Sequence, residues 1–271
     1  MVRMGRFACL AMVVIASACS PWGVAGHSPP ARQDLVIMAA ASLSEAFTQL
    51  GSQFEAANPS FHVVLDFAGS QQLAQQLAQG APADVFASAN AKQMQVAIDS
   101  GRVAQGSPRV FATNRLTVIS SRVSNPRLTS PADLARPGLK LVLAAQDVPA
   151  GQYALEFLEL ASTGAAYGPA YQAGVLRNVV SYEENVRSVV AKVALGEADA
   201  GIAYITDVTA DASGKVTRLA IPDEFNVVAS YPIAAVSGSA HLDAARAFVE
   251  MVLSPAGQAV LAHFGFSGAQ P

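Results

Sequence analysis

Cysteine is almost absent from this chain of 271 residues, and its two copies lie close to the N-terminus. Cys9 and Cys19 fall at or before the end of a segment typical of an export signal. The remaining chain therefore has no thiol for a disulfide, a nucleophile or a metal site. Charged residues are also scarce at 14%, and lysine and arginine form no run, which argues against a nucleic-acid partner.

The N-terminal segment predicts a signal peptide over residues 1–18. Arg3 and Arg6 precede an apolar stretch that is too short for a stable membrane span. Residues 19–33 are rich in Pro, Gly, Ala and Ser and predict a tether. Both features indicate an exported protein, in the periplasm or at the outer face of the cytoplasmic membrane.

Two processing sites overlap at the end of this signal, and the sequence leaves both open. Ala16-Ser17-Ala18 resembles a signal-peptidase site, whereas "IASACS" resembles a bacterial lipobox in which Cys19 would be lipidated. A membrane contact is expected only through that lipid anchor.

Apolar runs alternate with helical patterns along the rest of the chain. Leu35 to Met38 predicts a buried strand, and Ser42 to Glu45 has the S-x-x-E form of a capping box, so a helix is expected to begin at Ser42. Further strand-helix pairs follow, and this alternation predicts an α/β fold with doubly wound parallel sheets.

Two long extended stretches interrupt the alternation, "VFATNRLTVIS" and "FNVVASYPIAAV". They predict a two-stranded hinge between two doubly wound α/β lobes, an architecture like that of type II periplasmic binding proteins. Residues 34–112 plus 231–271 are predicted to form lobe 1, and residues 113–230 lobe 2.

Signatures of catalysis are missing. The sequence has no G-x-S-x-G elbow, no phosphate-binding loop and no G-x-G-x-x-G fingerprint. Its four histidines are scattered without metal-ligand spacing, and Glu183 with Glu184 suits the first turn of a helix. We therefore expect no enzyme and no cofactor, although a serine hydrolase that pairs Ser42 or Ser70 with His62 stays an alternative.

Several predicted helices begin directly after strands, where a doubly wound fold places its ligand crevice. Helix N-termini present unpaired N–H groups and the positive end of the helix dipole, so they bind anions without a cationic side chain. The sequence therefore indicates an oxyanion site built from neutral donors.

The motifs resemble those of the molybdate-binding proteins of bacterial ABC importers, the ModA type of solute-binding protein. The resemblance runs from about Asp34 to Phe266 and rests on these segments: "AAASL", "FAGSQQLAQQLAQGAPADVFASA", "VPAG", "ENVRSVVAKVALGEADAGIAY" and a terminal "GF". Gly69 departs from the family, which often has a second serine there, and this predicts a looser turn.

The resemblance implies which residues hold the anion. Serine hydroxyls would come from Ser42 and Ser70, backbone N–H groups from Ala150 and Val186, and a phenolic hydroxyl from Tyr204. Molybdenum is then present only as bound molybdate, and Arg187 is expected to be structural.

The same resemblance implies a function and a partner. The chain would bind molybdate or tungstate, as a monomer, for delivery to an ABC importer permease. Molybdate and tungstate are nearly equal in size, so the sequence does not separate them. Another tetrahedral oxyanion such as sulfate is the alternative solute, since only cavity size would reject it, and a structural surface lipoprotein is a further alternative.

Overall fold

Strands and helices alternate along the residues that the computed structural model describes, which are 32–124, 127–164 and 166–268. The predicted signal peptide, most of the tether and Cys19 lie outside these residues. The chain from Arg32 onward forms one compact unit.

The strands are β1 Gln33–Ala40, β2 Phe61–Ala68, β3 Val85–Ala87, β4 Arg109–Ser121, β5 Leu141–Ala144, β6 Val179–Glu183, β7 Ala200–Tyr204, β8 Val216–Ala220, β9 Val228–Ala235 and β10 Ser267–Gly268. The helices are α1 Ser44–Ala57, α2 Ser70–Ala78, α3 Ala91–Asp99, α4 Pro149–Thr163, α5 Tyr171–Arg177, α6 Val186–Ala194, α7 Ala210–Ser213, α8 Leu242–Leu253 and α9 Pro255–His263. Short 3-10 turns cover Ala41–Leu43, Pro131–Ala135 and Ile205–Asp207.

The strands form two half-sheets that share β4. The first half-sheet has the order β2-β1-β3-β9-β4, in which β1 pairs in parallel with β2 and β3. The second has the order β4-β7-β5-β6, in which β5 pairs in parallel with β6 and β7. The predicted α/β class with parallel sheets is confirmed.

Strand β4 passes from one half-sheet to the other. Residues Arg109 to Arg115 pair antiparallel with β9, and Leu116 to Ser120 pair antiparallel with β7. The two extended stretches of the sequence thus lie side by side as β4 and β9. The assignment of separate lobes with the boundaries given above stays a prediction.

Apolar packing holds the helices against the first half-sheet. Phe47 and Phe54 of α1 are buried, and both rings contact Phe248 of α8, with centroid distances of 5.9 and 5.5 Å. The helical spacing of the two phenylalanines places both on the same face of α1.

The predicted capping box at Ser42 is wrong. Ser42 lies inside the 3-10 turn, α1 begins at Ser44, and neither helix start has a side-chain cap. Asn90 does cap its helix, because its Oδ1 accepts the N–H of Gln93 of α3 at 2.9 Å. Within the described residues, no helix is long and apolar enough to cross a bilayer.

Candidate functional site

All five predicted anion-binding residues line one small cavity of about 10 Å³. Ser42 and Ser70 follow the carboxyl ends of β1 and β2. Ala150, Val186 and Tyr204 follow or end β5, β6 and β7. The cavity therefore lies where the carboxyl ends of the parallel strands of both half-sheets meet, as expected of an open α/β sheet. It is far smaller than a site for a drug-sized ligand, so only a small solute could occupy it.

The cavity is deeply buried and lined without charge. The five residues are between 1% and 4% exposed, and no lysine, arginine, aspartate or glutamate is among the lining residues. A ligand would therefore lose nearly all its hydration and would be held by neutral groups.

Backbone donors at the cavity come from two helix starts. Ala150 is the second residue of α4 and Val186 is the first residue of α6. N–H groups at these positions have no acceptor within their own helix. The positive ends of two helix dipoles thus meet at the cavity, where they favour an anion.

Gly151 explains the glycine of "VPAG". A β-carbon at this position would overlap the backbone carbonyl oxygens of Ala144 and Ala145 at the end of β5. Glycine therefore lets the first turn of α4 lie close to the end of that strand, which places the N–H of Ala150 at the cavity.

The two serine hydroxyls have protein partners. Ser70 Oγ accepts the N–H of Ala89 at 3.0 Å, and Ser42 Oγ lies 3.1 Å from the hydroxyl of Tyr231. His62, the histidine of the hydrolase alternative, is at the surface and pairs with Glu55 at 2.8 Å. Neither serine hydroxyl is therefore hydrogen-bonded to a histidine.

The hydroxyl of Tyr204 has no hydrogen-bond partner among the described residues, although it is fully buried. Burial raises the pKa of this phenol well above its usual value, and the nearby Tyr231 and Tyr153 add to the effect. The hydroxyl keeps its proton and is a donor. An unpaired buried hydroxyl is destabilising, so a ligand acceptor in the cavity would satisfy it.

Polar contacts join the elements of the two half-sheets on both sides of the cavity. On one side, Gln71 Nε2 donates to the backbone carbonyl of Glu184 at 2.8 Å, and Gln72 Nε2 donates to Glu184 Oε2 at 3.1 Å. On the other, Gln93 Nε2 donates to the carbonyl of Asp147 at 3.0 Å. These contacts link the two half-sheets beside the cavity.

Arg187 forms a third connection, beside the cavity and not in it. Its guanidinium group donates to the carbonyl of Ala41 at 3.3 Å and to Ser44 Oγ at 3.0 Å, and it pairs with Glu45 of α1. It also lies 3.3 Å from Asp207 Oδ1. Arg187 thus has a structural role: it links Ala41, next to Ser42, to α6. The carboxylates of Glu45 and Asp207 compensate its charge.

Two expectations of the sequence need correction. The turn at Gly69 is not loose, because Gly69 is buried and packed against the carbonyl of Glu184. Glu183 and Glu184 do not lie in the first turn of a helix: Glu183 ends β6, and Glu184 lies in the loop before α6.

Sequence reasoning missed Asn185 and Tyr231. Asn185 lines the cavity, and its Oδ1 caps α6 by accepting the N–H of Ser188 at 3.0 Å. The position of an asparagine directly before a helical pattern was the available signal. Tyr231 had no signal in the sequence, since it contacts Ser42 from 189 residues away.

Sequence comparison matches this chain to a protein family and to a protein of 42% identity. Residues 35–267 match the family described as bacterial extracellular solute-binding proteins. The molybdate-binding protein ModA of Mycobacterium tuberculosis is 42% identical over 243 residues, which are 90% of this chain and 87% of that protein.

Solved structures share the fold. The periplasmic molybdate-binding protein of Azotobacter vinelandii has a TM-score of 0.73 at 21% identity, and the match covers 87% of this chain and 100% of that one. The sulfate-binding protein SubI of Mycobacterium tuberculosis has a TM-score of 0.78 at 19% identity, and the match covers 89% of this chain and 88% of that one. At these identities the two structures bear on the fold alone.

Proposed function

The chain belongs to the bacterial extracellular solute-binding proteins, and we propose that it is a receptor that binds molybdate or tungstate and delivers it to an ABC importer. The observation that carries this proposal is the unpaired, buried hydroxyl of Tyr204 at a cavity that also collects Ser42, Ser70, Ala150 and Val186. The high identity to a molybdate-binding relative selects the solute.

The donor set has enough binding energy for a receptor. A hydrogen bond to a charged group contributes about 1.5–3 kcal/mol, and three hydroxyls with several backbone N–H groups together give roughly 10–20 kcal/mol before desolvation is subtracted. Micromolar binding needs about −8 kcal/mol. A cage of neutral donors is therefore sufficient, even after a dianion loses its water.

The same donor set rules against protonated anions. A cavity without an acceptor offers no partner for the proton of hydrogenphosphate, so phosphate is disfavoured. Sulfate is a tetrahedral dianion without a proton, and cavity size alone separates it from molybdate. Sulfate is thus the rival solute.

Binding is proposed to bring the two lobes together, lobe 1 being residues 34–112 plus 231–271 and lobe 2 residues 113–230. The exchange of partners along β4, from β9 to β7 after Arg115, supports a hinge at this place. A fall in the radius of gyration by solution scattering on adding molybdate is expected, and an unchanged radius would count against lobe closure.

The remaining parts of the proposal concern the setting of the protein. We propose that the protein lies outside the cytoplasm, is a monomer and has a permease as its partner. Cys19 is either lipidated or left unmodified. It is a binding protein and not an enzyme, because both serine hydroxyls pair with groups that do not activate a nucleophile.

The test is isothermal titration calorimetry of the chain from Arg32, the start of the compact unit, at neutral pH. Molybdate, tungstate, sulfate and phosphate are titrated separately. Submicromolar binding of molybdate and tungstate without heat from the other two is expected. Tight sulfate binding would keep the cavity but change the solute, and absence of binding by all four would overturn the proposal.

A further inference from the structure

Among the described residues, only Tyr231 forms a hydrogen bond from its side chain to a serine hydroxyl of the cavity. Tyr231 itself does not line the cavity. It lies on β9, is fully buried, and its hydroxyl is 3.1 Å from Ser42 Oγ and 3.5 Å from Asn114 Nδ2. Asn114 lies on the neighbouring strand β4 and is also buried.

The partners of Asn114 set the direction of its own bond to Tyr231. Its Oδ1 accepts the N–H of Arg115 at 2.9 Å, and its Nδ2 donates to Thr206 Oγ1 at 2.8 Å. The amide orientation is therefore set, and only the NH₂ end of Asn114 faces Tyr231. The hydroxyl of Tyr231 accepts from Asn114, and either hydroxyl could be the donor in the bond between Tyr231 and Ser42.

The direction of the bond between Tyr231 and Ser42 decides what Ser42 presents to the cavity. When Ser42 Oγ accepts the proton of Tyr231, the hydrogen of Ser42 turns away from the phenol and is available to a ligand. The opposite arrangement, in which Ser42 donates to Tyr231, would turn only lone pairs toward the cavity. Ser70 also has its hydroxyl hydrogen available to a ligand, because its Oγ accepts the N–H of Ala89.

Burial keeps the hydroxyl of Tyr231 protonated. The loss of hydration raises the pKa of this phenol far above its usual value, and the nearby Asp207 carboxylate acts in the same direction. The ring is held by edge-to-face contacts with Phe111 and Phe266, at centroid distances of 6.3 and 5.5 Å. Removal of the hydroxyl alone would leave this packing in place.

We propose that Tyr231 donates its proton to Ser42 Oγ and is a positioning residue: it fixes Ser42 as a donor and thereby sets the preference of the cavity for fully deprotonated tetrahedral dianions over protonated ones. The proposal rests on the proposed function, since it assumes that Ser42 donates to a bound oxyanion. Without the phenol, Ser42 can rotate and accept a proton from its ligand.

The test compares Tyr231→Phe with the chain from Arg32 by calorimetric titration of molybdate, sulfate and phosphate. Molybdate affinity is expected to fall about fivefold or more, because one ordered donor is lost. Phosphate affinity is expected to rise relative to sulfate by about tenfold, since phosphate alone carries a proton that Ser42 can now accept. An equal rise for sulfate and phosphate would indicate a looser cavity and would overturn the proposal.

Tyr171→Phe is the matched control. It also removes a buried phenolic hydroxyl that makes a hydrogen bond, to the carbonyl of Pro131 at 2.6 Å, but it lies away from the cavity. It is expected to leave all three affinities unchanged. A shift of anion preference in this variant would show that the readout is not specific to Tyr231.

A double variant separates action through Ser42 from a general structural effect. If Tyr231 acts through Ser42, then Ser42→Ala with Tyr231→Phe binds molybdate no more weakly than Ser42→Ala alone. Additive losses would overturn the positioning role. Absence of any tetrahedral oxyanion binding by the unmodified chain would overturn the proposed function itself, whereas normal molybdate binding with unchanged preference in Tyr231→Phe would overturn only this inference.

Discussion

The backbone carbonyl of Glu184 lies directly against the α-carbon of Gly69, so that a β-carbon at position 69 would overlap the carbonyl oxygen. Gly69 has φ −60° and ψ 135°, a conformation open to any residue. Glycine is therefore needed here for the approach of the two half-sheets, and not for the path of its own chain.

Gly69→Ala is expected to weaken molybdate binding by about tenfold or more, because the added methyl group keeps Glu184 from closing over the cavity. In the proposed mechanism the lobes are apart without ligand, so the added methyl group does not meet the Glu184 carbonyl there and the melting temperature of the ligand-free protein should change little. Calorimetric titration and thermal unfolding check the two parts. Gly214→Ala is the control, because Gly214 has φ −74° and open space around it. Wild-type affinity in Gly69→Ala would refute the steric role.

Ser42→Ala and Ser70→Ala should each weaken molybdate binding by at least tenfold and leave the fold intact. Each removes one hydrogen bond to a charged ligand, which contributes about 1.5–3 kcal/mol. The affinities are measured by titration and the fold by circular dichroism. Ser52→Ala, on the exposed face of α1, is the control. If both cavity variants keep their affinity, the site assignment fails.

Tyr204→Phe should separate binding from stability. The hydroxyl is buried without a partner, so its removal should leave the ligand-free protein equally or more stable, while molybdate affinity falls about tenfold. Tyr171→Phe should do the reverse, with a loss of about 1 kcal/mol in unfolding free energy and unchanged affinity. Denaturant unfolding and titration of both variants decide. A stability loss in Tyr204→Phe equal to that in Tyr171→Phe would mean that the hydroxyl has a partner within the protein.

Arg187→Gln should destabilise the protein by roughly 3 kcal/mol above pH 7, because it leaves the ionised Asp207 buried without its cation. The value is at the low end for a broken buried pair, since Arg187 is 25% exposed. Adding Asp207→Asn should recover much of this loss. Denaturant unfolding of both single variants and the double variant gives the coupling between them. Additive effects would show that the two side chains do not interact.

The pH dependence of stability should carry the signature of Asp207. Burial raises the pKa of this carboxyl from 3.8 to about 7, against the opposing effects of Arg187 and the N–H of Tyr204, while Glu45 adds to the rise. Between about pH 4 and pH 7 the native state holds a proton that the unfolded chain releases, so this group's contribution to stability falls as the pH rises through that window. Above about pH 7 the contribution is level.

Asp207→Asn removes this titration. The difference in melting temperature between wild type and variant should therefore change between pH 4.5 and pH 7 and stay constant above it. Thermal unfolding across this pH range measures the difference. Parallel curves for the two proteins would contradict a raised pKa at Asp207.

Local signals in the sequence were sufficient for the elements and their order. Val186, Val189, Val190 and Val193 recur at helical spacing and all lie on the buried face of α6. The run that ends at Tyr204 is a buried strand, as its continuous apolar character predicts. Such patterns depend on neighbours within a few residues, so they can be read from the chain alone.

The class of site also followed from local order. Helix starts that come directly after parallel strands must gather at one edge of a sheet, so the sequence by itself predicted an anion crevice there, with Ser42 and Ser70 as candidates. The family resemblance added Ala150, Val186, Tyr204 and the solute. Both inferences depend only on the types of the residues and on their positions along the chain.

Only the tertiary structure decided the partners of the side chains. Ser42 has the sequence of a helix cap, yet its hydroxyl contacts Tyr231, which is 189 residues away. The contact of Glu184 with Gly69 and the pairing of Arg187 with Glu45 likewise join distant segments. The sequence determined which groups can donate, because that is a property of residue type and local conformation. The direction in which they donate depends on distant groups that folding brings within hydrogen-bond distance.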